Sequence, residues 1–241
     1  MSEPPVRAVI FDWGGTLSDW ALVEFDEIWR MAAQHLAPHF GEPVEALQRR
    51  LAQVEVDAWQ ATATDHASFT FNDLVRRASD ALGVDVADAL IEEATEHYLD
   101  AWLPHIVHDT EAAETLAALR ARGLRIGLLS NTHWPADFHE RMLERDGLAH
   151  LIDARLYTSE MPYMKPHPEA FRAALAGVGI EDPRQAVFVG DRLFDDVHGA
   201  QSVGMRAVHR PNASVPAHEA RPDAVIQRLS ELPAIIDRWG V

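Results

Sequence analysis

Short apolar runs that close on polar residues recur along this chain. They are separated by longer stretches whose apolar positions fall three and four apart. Val9-Ile10-Phe11 is the first run, Ile126-Gly127-Leu128-Leu129 the second and Ala186-Val187-Phe188-Val189 the third. Arg206-Ala207-Val208-His209 makes a later strand, and Ala224-Val225-Ile226 a last short one. Ala112, Leu116 and Leu119 mark a helix face that ends at Gly123, Glu169 to Leu175 forms another helix, and Leu232 to Trp239 closes the chain. This alternation predicts an α/β fold, a doubly wound parallel sheet with helices on both faces.

Between the first run and Pro104 the pattern is helical only. Ala21-Leu22, Phe25, Ile28-Trp29 and Ala32-Ala33-Leu36 form one stripe, and Val44-Leu47-Leu51-Val54 a second. Phe71-Leu74-Val75-Ala78-Leu82 is the third, and a fourth helix covers Val86 to Trp102, with Ala89, Leu90, Ala94 and Leu99 inward. Gly41, Pro43 and Gly83 punctuate them. The reading is therefore an inserted α-helical domain over residues 18–104, with 1–17 and 105–241 forming the sheet domain. No internal repeat is evident.

The polar ends of the strands carry the chemistry. The first run ends in Asp12-Trp13-Gly14-Gly15-Thr16, a carboxylate followed by a loop whose glycines allow close approach of the backbone to a ligand. The second ends in Ser130-Asn131-Thr132 and the third in Gly190-Asp191-Arg192-Leu193-Phe194-Asp195-Asp196. Lys165, the only lysine of the chain, stands directly before Pro166-His167-Pro168. Ligands of open parallel sheets bind beyond the carboxyl ends of the strands, so Asp12, Ser130 and Asp191 are expected on one edge with Lys165 nearby. Asp195 and Asp196 have a second reading, as caps of the helix through Val197, Ala200 and Val203.

These four segments, in this order, resemble the haloacid dehalogenase-like hydrolase superfamily, in its phosphatase-like branch. The resemblance covers residues 6–17 and 105–240 and implies a Rossmann-like core. It makes 18–104 a helical cap of the type inserted after the nucleophile loop, which closes over the site and selects substrate. It makes Asp12 the nucleophile, forming an aspartyl-phosphate, and assigns phosphate binding to Gly15, Thr16, Ser130, Asn131 and Lys165. It implies Mg2+ held by Asp12, the Gly14 carbonyl and Asp191, supported by Asp196 or, as the weaker choice, Asp195. The chemistry suits these roles. A carboxylate is ionised at neutral pH and needs no base to attack. Carboxylate and carbonyl oxygens suit a hard cation, and lysine gives compact positive charge for phosphate.

One position departs from the family pattern, Asp-x-Asp-x-Thr. Gly14 stands where the second aspartate protonates the leaving group, so alkyl phosphates are expected to react less readily than acyl or aryl phosphates. Dehalogenases also lack that aspartate, but they work without the metal-binding acid that Asp191 retains here. Phosphonoacetaldehyde hydrolases, with a similar Asp-Trp-Ala-Gly-Thr opening, need a second lysine that this chain lacks. P-type ATPases need a membrane domain, and no run here approaches the ~20 apolar residues of a spanning helix. His133, or His35 or His66 in the insert, is a candidate replacement donor. Two classes remain: a magnesium-dependent phosphatase, and a catalytically attenuated phospholigand-binding or regulatory protein.

Composition narrows the partners. The chain has 241 residues, 47% of them hydrophobic, no cysteine and a net charge of −17, which excludes disulfides, thiolate catalysis and cysteine-held zinc and opposes nucleic-acid binding. Met1-Ser2-Glu3-Pro4-Pro5 has no signal-peptide pattern, so a cytoplasmic monomer or homodimer with no membrane partner is expected. Residues 18–104 hold seventeen acidic against five basic residues, which disfavours polyanions and points to a substrate with one phosphate and a small or apolar remainder. Trp29, Trp59 and Trp102 read as packing residues, and Trp20, beside Asp19, as the tryptophan nearest the site.

Overall fold

In the computed structural model, which describes residues 4–241, β1 (Ala8–Phe11) is buried along its whole length. Its side chains alternate between two cores: Val9 and Phe11 enter one, Ala8 and Ile10 the other. Five more strands run parallel to it: β2 (Arg125–Ser130), β3 (Ala154–Tyr157), β4 (Ala186–Gly190), β5 (Arg206–His209) and β6 (Ala224–Val225). The sheet order is β3-β2-β1-β4-β5-β6. The chain thus builds outward from β1 to one side and then to the other. Phe11 stands level with Leu128 of β2 and Val189 of β4. That register brings the ends of the three central strands together at the switch point of the sheet, where such folds bind ligands.

After β1 come four helices, α1 (Phe25–Phe40), α2 (Val44–Asp65), α3 (Phe71–Leu82) and α4 (Asp88–Trp102). Helix α1 packs on α2 and α4, and α3 on α2 and α4. Trp29 is their hub: its ring lies 4.9 Å from Phe71 and 4.6 Å from Tyr98, and its indole Nε1 donates to buried Glu55 at 2.7 Å. The Tyr98 hydroxyl donates to the same carboxyl at 3.0 Å. Burial nonetheless pushes Glu55 up to about 7, against these donors. Removing a fully buried tryptophan leaves a cavity and takes one of the donors from Glu55, so Trp29→Ala is expected to cost about 3–5 kcal/mol in urea unfolding.

The remaining helices flank the sheet: α5 (Ala112–Arg120), α6 (Ala136–Arg145), α7 (Pro168–Gly177), short α8 (Gly199–Ser202) and α9 (Leu232–Trp239). A wide helical turn, Leu193–His198, leads into α8. The predicted strands and helices are present, and the fourth helix starts at Asp88 rather than Val86. Strand β3 and helix α6 are additional elements. Residues 1–3, part of the amino-terminal segment considered above, lie outside the described residues. Among the described residues no helix is long and apolar enough to cross a membrane.

Candidate active site

Asp12 follows β1, and its main-chain N–H is bonded to Val189 O at 2.9 Å, which ties it to the neighbouring strand. The Lys165 ammonium lies between two carboxylates, donating to Asp12 Oδ1 at 2.6 Å and to Asp196 Oδ1 at 2.7 Å. Asp191 completes a buried trio with Asp12 and Asp196, one oxygen of each lying within 4.8 Å of the others. Asp196 Oδ2 accepts from the Arg192 main-chain N–H at 2.8 Å, which fixes the turn after β4 around the site. Asp195, the other candidate, is outside the trio and pairs with Arg192 at 3.6 Å.

Two glycines make this crowding possible. At Gly15 the backbone has φ +82°, and an added Cβ would stand 2.3 Å from Asp191 Oδ2. At Gly190 it would stand 2.3 Å from Asp196 Cγ. Any side chain at either position would displace a carboxylate of the trio.

Beside the carboxylates lie two free hydroxyls. Thr16 Oγ1 is buried with no hydrogen-bond partner, and buried Ser130 at the end of β2 has no side-chain partner among the described residues. Asp191 Oδ1 is likewise buried and unpaired. Buried, unpaired atoms such as Thr16 Oγ1 and Asp191 Oδ1 at the strand ends are groups whose bonding a ligand would complete. Asn131 is occupied differently from what its motif suggests. Its side chain bonds Lys165 in both directions, donating to the Lys165 carbonyl at 2.9 Å and accepting from its N–H at 2.8 Å. The amide therefore positions the lysine.

The electrostatics leave the site short of positive charge. Burial raises Asp12, with Lys165 opposing the rise and Asp196 adding to it. Burial also raises Asp191, and neighbouring Asp12 and Asp196 push it further, to about 8. For Lys165, burial acts to lower the value, but the two carboxylates outweigh it and hold the ammonium above its ordinary range. One lysine does not neutralise three carboxylates, so the donor set suits a hard divalent cation.

These shifts give a stability signature. A carboxyl raised in the fold binds its proton more tightly than in the unfolded chain. Its contribution is present at low pH and lost as pH rises through the folded value. Buried His133 and His139, both lowered to about 3 chiefly by burial, act oppositely: their contribution is lost only as pH falls below the ordinary histidine range. Above pH ~6.5 the carboxyls dominate. In EDTA, Tm is expected to fall between pH ~6.5 and ~8.5, and Mg2+ is expected to remove most of that slope. Thermal unfolding along a pH series with and without Mg2+ checks this.

Several contributors were not evident from the motifs. Asn212 donates to Asp191 Oδ2 at 3.0 Å, and His209 Nε2 lies 3.0 Å from the Asp191 carbonyl. Arg210 donates to the Thr16 carbonyl at 2.5 Å and pairs with Asp109. All three follow or end β5, so their position at a strand end was the available signal. Trp13 turns away from the carboxylates, and its Nε1 donates to His108 at 2.9 Å. Trp20 is 39% exposed beneath the Arg192 guanidinium, 5.1 Å from its ring.

The candidate proton donors separate clearly. His133 stacks on Phe69 at 5.6 Å, beside Trp59 and Tyr98, and its lowered value keeps it neutral at pH ~7. His35 pairs with Glu93 at 3.0 Å and faces His97, between α1 and α4. His66 alone of the three adjoins the segment that carries Lys165.

A doubly wound parallel sheet with carboxylates, hydroxyls and a lysine gathered at its switch point defines an α/β protein with a hydrolase-type site. The haloacid dehalogenase-like hydrolase family model matches residues 6–204, and the chain belongs to that family. It is 31% identical over 207 residues to a phosphoserine phosphatase of Thermus thermophilus, covering 85% of this chain and 76% of the relative. A glyceraldehyde 3-phosphate phosphatase of Methanopyrus kandleri is 29% identical over 236 residues, covering 96% and 97% of the two chains. Among solved structures, a 2-haloacid dehalogenase from Pseudomonas syringae pv. Tomato superposes with a TM-score of 0.71 at 29% identity, covering 98% of this chain and all of the other.

Proposed function

We propose that this hydrolase is a magnesium-dependent phosphatase that acts on a small metabolite bearing one phosphate, through an aspartyl-phosphate at Asp12. The observation that carries the reading is the buried carboxylate trio, two members of which hold Lys165, with the buried Thr16 and Ser130 hydroxyls at the neighbouring strand ends. The phosphoserine and glyceraldehyde 3-phosphate named for the two relatives are both of that substrate class.

Asp12, Asp191 and the Gly14 carbonyl would hold the cation, with Asp196 bracing the site through Lys165 and the Arg192 amide. Bound there, Mg2+ would neutralise phosphate charge. Lys165 and the Ser130 and Thr16 hydroxyls hold the phosphoryl oxygens, Asn131 keeps the lysine in place, and the Gly15 loop lets the backbone approach. Asp12 attacks phosphorus, and water then hydrolyses the aspartyl-phosphate. Residues 18–104 act as the cap and the rest, 1–17 and 105–241, as the catalytic core, in a cytoplasmic protein. The acidic surplus of the cap turns away polyanionic substrates.

The dehalogenase likeness points to a haloacid as a second substrate class. The trio argues against it, because a haloacid carboxylate would meet three buried carboxylates and one lysine. The two readings part on a simple assay with p-nitrophenyl phosphate, acetyl phosphate and 2-chloropropionate, each with Mg2+ or EDTA. Metal-dependent phosphate release without chloride release is expected. Chloride release indifferent to EDTA would contradict the proposal, and no turnover of any of the three would favour the attenuated, phospholigand-binding reading.

A further inference from the structure

We propose that His66 is the proton donor to the leaving-group oxygen, a role that rests on the phosphatase reading above. An alkoxide leaves phosphorus poorly without a proton, and residue 14 has no side chain to give one. The Asp12, Asp191 and Asp196 carboxylates are gathered on Lys165 and the cation site. The donor must come from another element that reaches the same edge.

His66 ends α2 and is the one non-glycine among the described residues with positive φ, at 55°. That conformation is the left-handed cap of α2, in which the His66 N–H donates to the Thr62 carbonyl at 3.0 Å and the chain turns out of the helix. The loop it begins is docked on the segment leading to Lys165. Met164 N–H donates to the His66 carbonyl at 2.9 Å, Ser68 N–H donates to Pro162 O at 3.1 Å, and Ala67 pairs with Tyr163 in an antiparallel bridge. The imidazole stands 6.2 Å from the ring of Phe194, which is 38% exposed at the surface next to Asp195. Phe194 lies two residues before Asp196, which the Lys165 ammonium contacts at 2.7 Å.

The tautomer follows from one bond. His66 Nδ1 lies 2.9 Å from the Thr62 carbonyl, which can only accept, so Nδ1 carries hydrogen and Nε2 is the nitrogen free to exchange a proton. His198 and His218 share the Phe194 ring with His66, at 5.6 and 5.1 Å, whereas three other histidines near the strand ends are engaged elsewhere. His133 lies among aromatic rings, His139 Nε2 is 3.0 Å from Thr132 Oγ1, and His167 caps α7 with its ring stacked on Tyr163 at 3.9 Å.

The step balances without a further reactant. As an Asp12 oxygen bonds to phosphorus, the bond from phosphorus to the ester oxygen breaks, and that oxygen takes the proton from His66 Nε2–H. The alcohol leaves and His66 is neutral. Water then bonds to phosphorus, its proton passes to Nε2, and the Asp12–phosphorus bond breaks to regenerate carboxylate and imidazolium.

The test compares ethyl phosphate, which needs the proton, with p-nitrophenyl phosphate, which needs it far less. His66→Gly and His66→Asn are suitable variants because glycine and asparagine both accept the left-handed backbone. For each, kcat/KM on ethyl phosphate is expected to fall by about 10²–10⁴-fold, and on p-nitrophenyl phosphate by a much smaller factor. Added imidazole is expected to restore part of the loss in His66→Gly. Gly14 has a permitted backbone and open space for a Cβ, so Gly14→Asp in the His66→Gly background is expected to recover turnover of ethyl phosphate. Equal losses on both substrates would overturn the proposal. So would an ethyl-selective loss in Asp195→Asn that is absent from His66→Gly, or a wild type that hydrolyses p-nitrophenyl phosphate but not ethyl phosphate. A wild type inert toward p-nitrophenyl phosphate would instead refute the underlying phosphatase reading.

Discussion

Replacing Asp12 by asparagine is expected to lower kcat on p-nitrophenyl phosphate by about 10⁴–10⁶-fold, the scale of losing a nucleophile. The same change is expected to raise Tm in EDTA at pH ~8, above the ordinary carboxylate range. The amide retains the shape of the carboxylate while removing one of the buried negative charges, and Lys165 keeps Asp196 as its partner at 2.7 Å. The opposite signs are the informative part. A residue that served only to support the fold would lose stability and activity together. Mg2+ is expected to raise the Tm of Asp12→Asn less than that of the wild type, because one proposed ligand has lost its charge.

Lys165→Met is expected to fail on both counts. The lysine is 3% exposed and bridges Asp12 and Asp196, so its removal leaves buried carboxylates facing one another. Breaking a buried ion pair from one side costs about 3–5 kcal/mol. Urea unfolding in EDTA is expected to show that loss, and saturating Mg2+ to recover part of it by supplying positive charge to the same carboxylates. Activity is not expected to return with the metal, since the cation would not replace the phosphate contact proposed for the lysine. Full recovery of turnover in Mg2+ would show that Lys165 serves only the fold.

Much of this arrangement is readable from sequence because buried parallel strands leave a continuous apolar run that stops abruptly. Val9-Ile10-Phe11 before Asp12, and Ala186 to Val189 before Gly190-Asp191, are such runs. Strand β3 is not, because Ala154-Arg155-Leu156-Tyr157 lies at a sheet edge and is only partly buried. Its Arg155 is held by Glu140 of α6, and that helix is mostly polar, burying only Phe138, His139, Met142 and Leu143. Each element is explained by the other, and neither by its own periodicity. The roles of Asn131 and Asn212 are hidden for a different reason. Asn131 bonds a backbone 34 residues away and Asn212 a carboxylate 21 residues away, separations that no local pattern encodes. His133 reads as a site residue from its place after Ser130-Asn131-Thr132. The aromatic rings of Phe69, Trp59 and Tyr98 that enclose it come from the helical insert, which the motif does not report.

The central claim is that phosphorus passes through Asp12 in two displacements, and its stereochemical course tests this most directly. A phosphorothioate ester made chiral at phosphorus with oxygen isotopes would be hydrolysed in isotopically distinct water, and the configuration of the product thiophosphate determined. Two in-line displacements give overall retention, which is the result expected here. Inversion would mean that water attacks the substrate directly, and Asp12 would then not be the nucleophile.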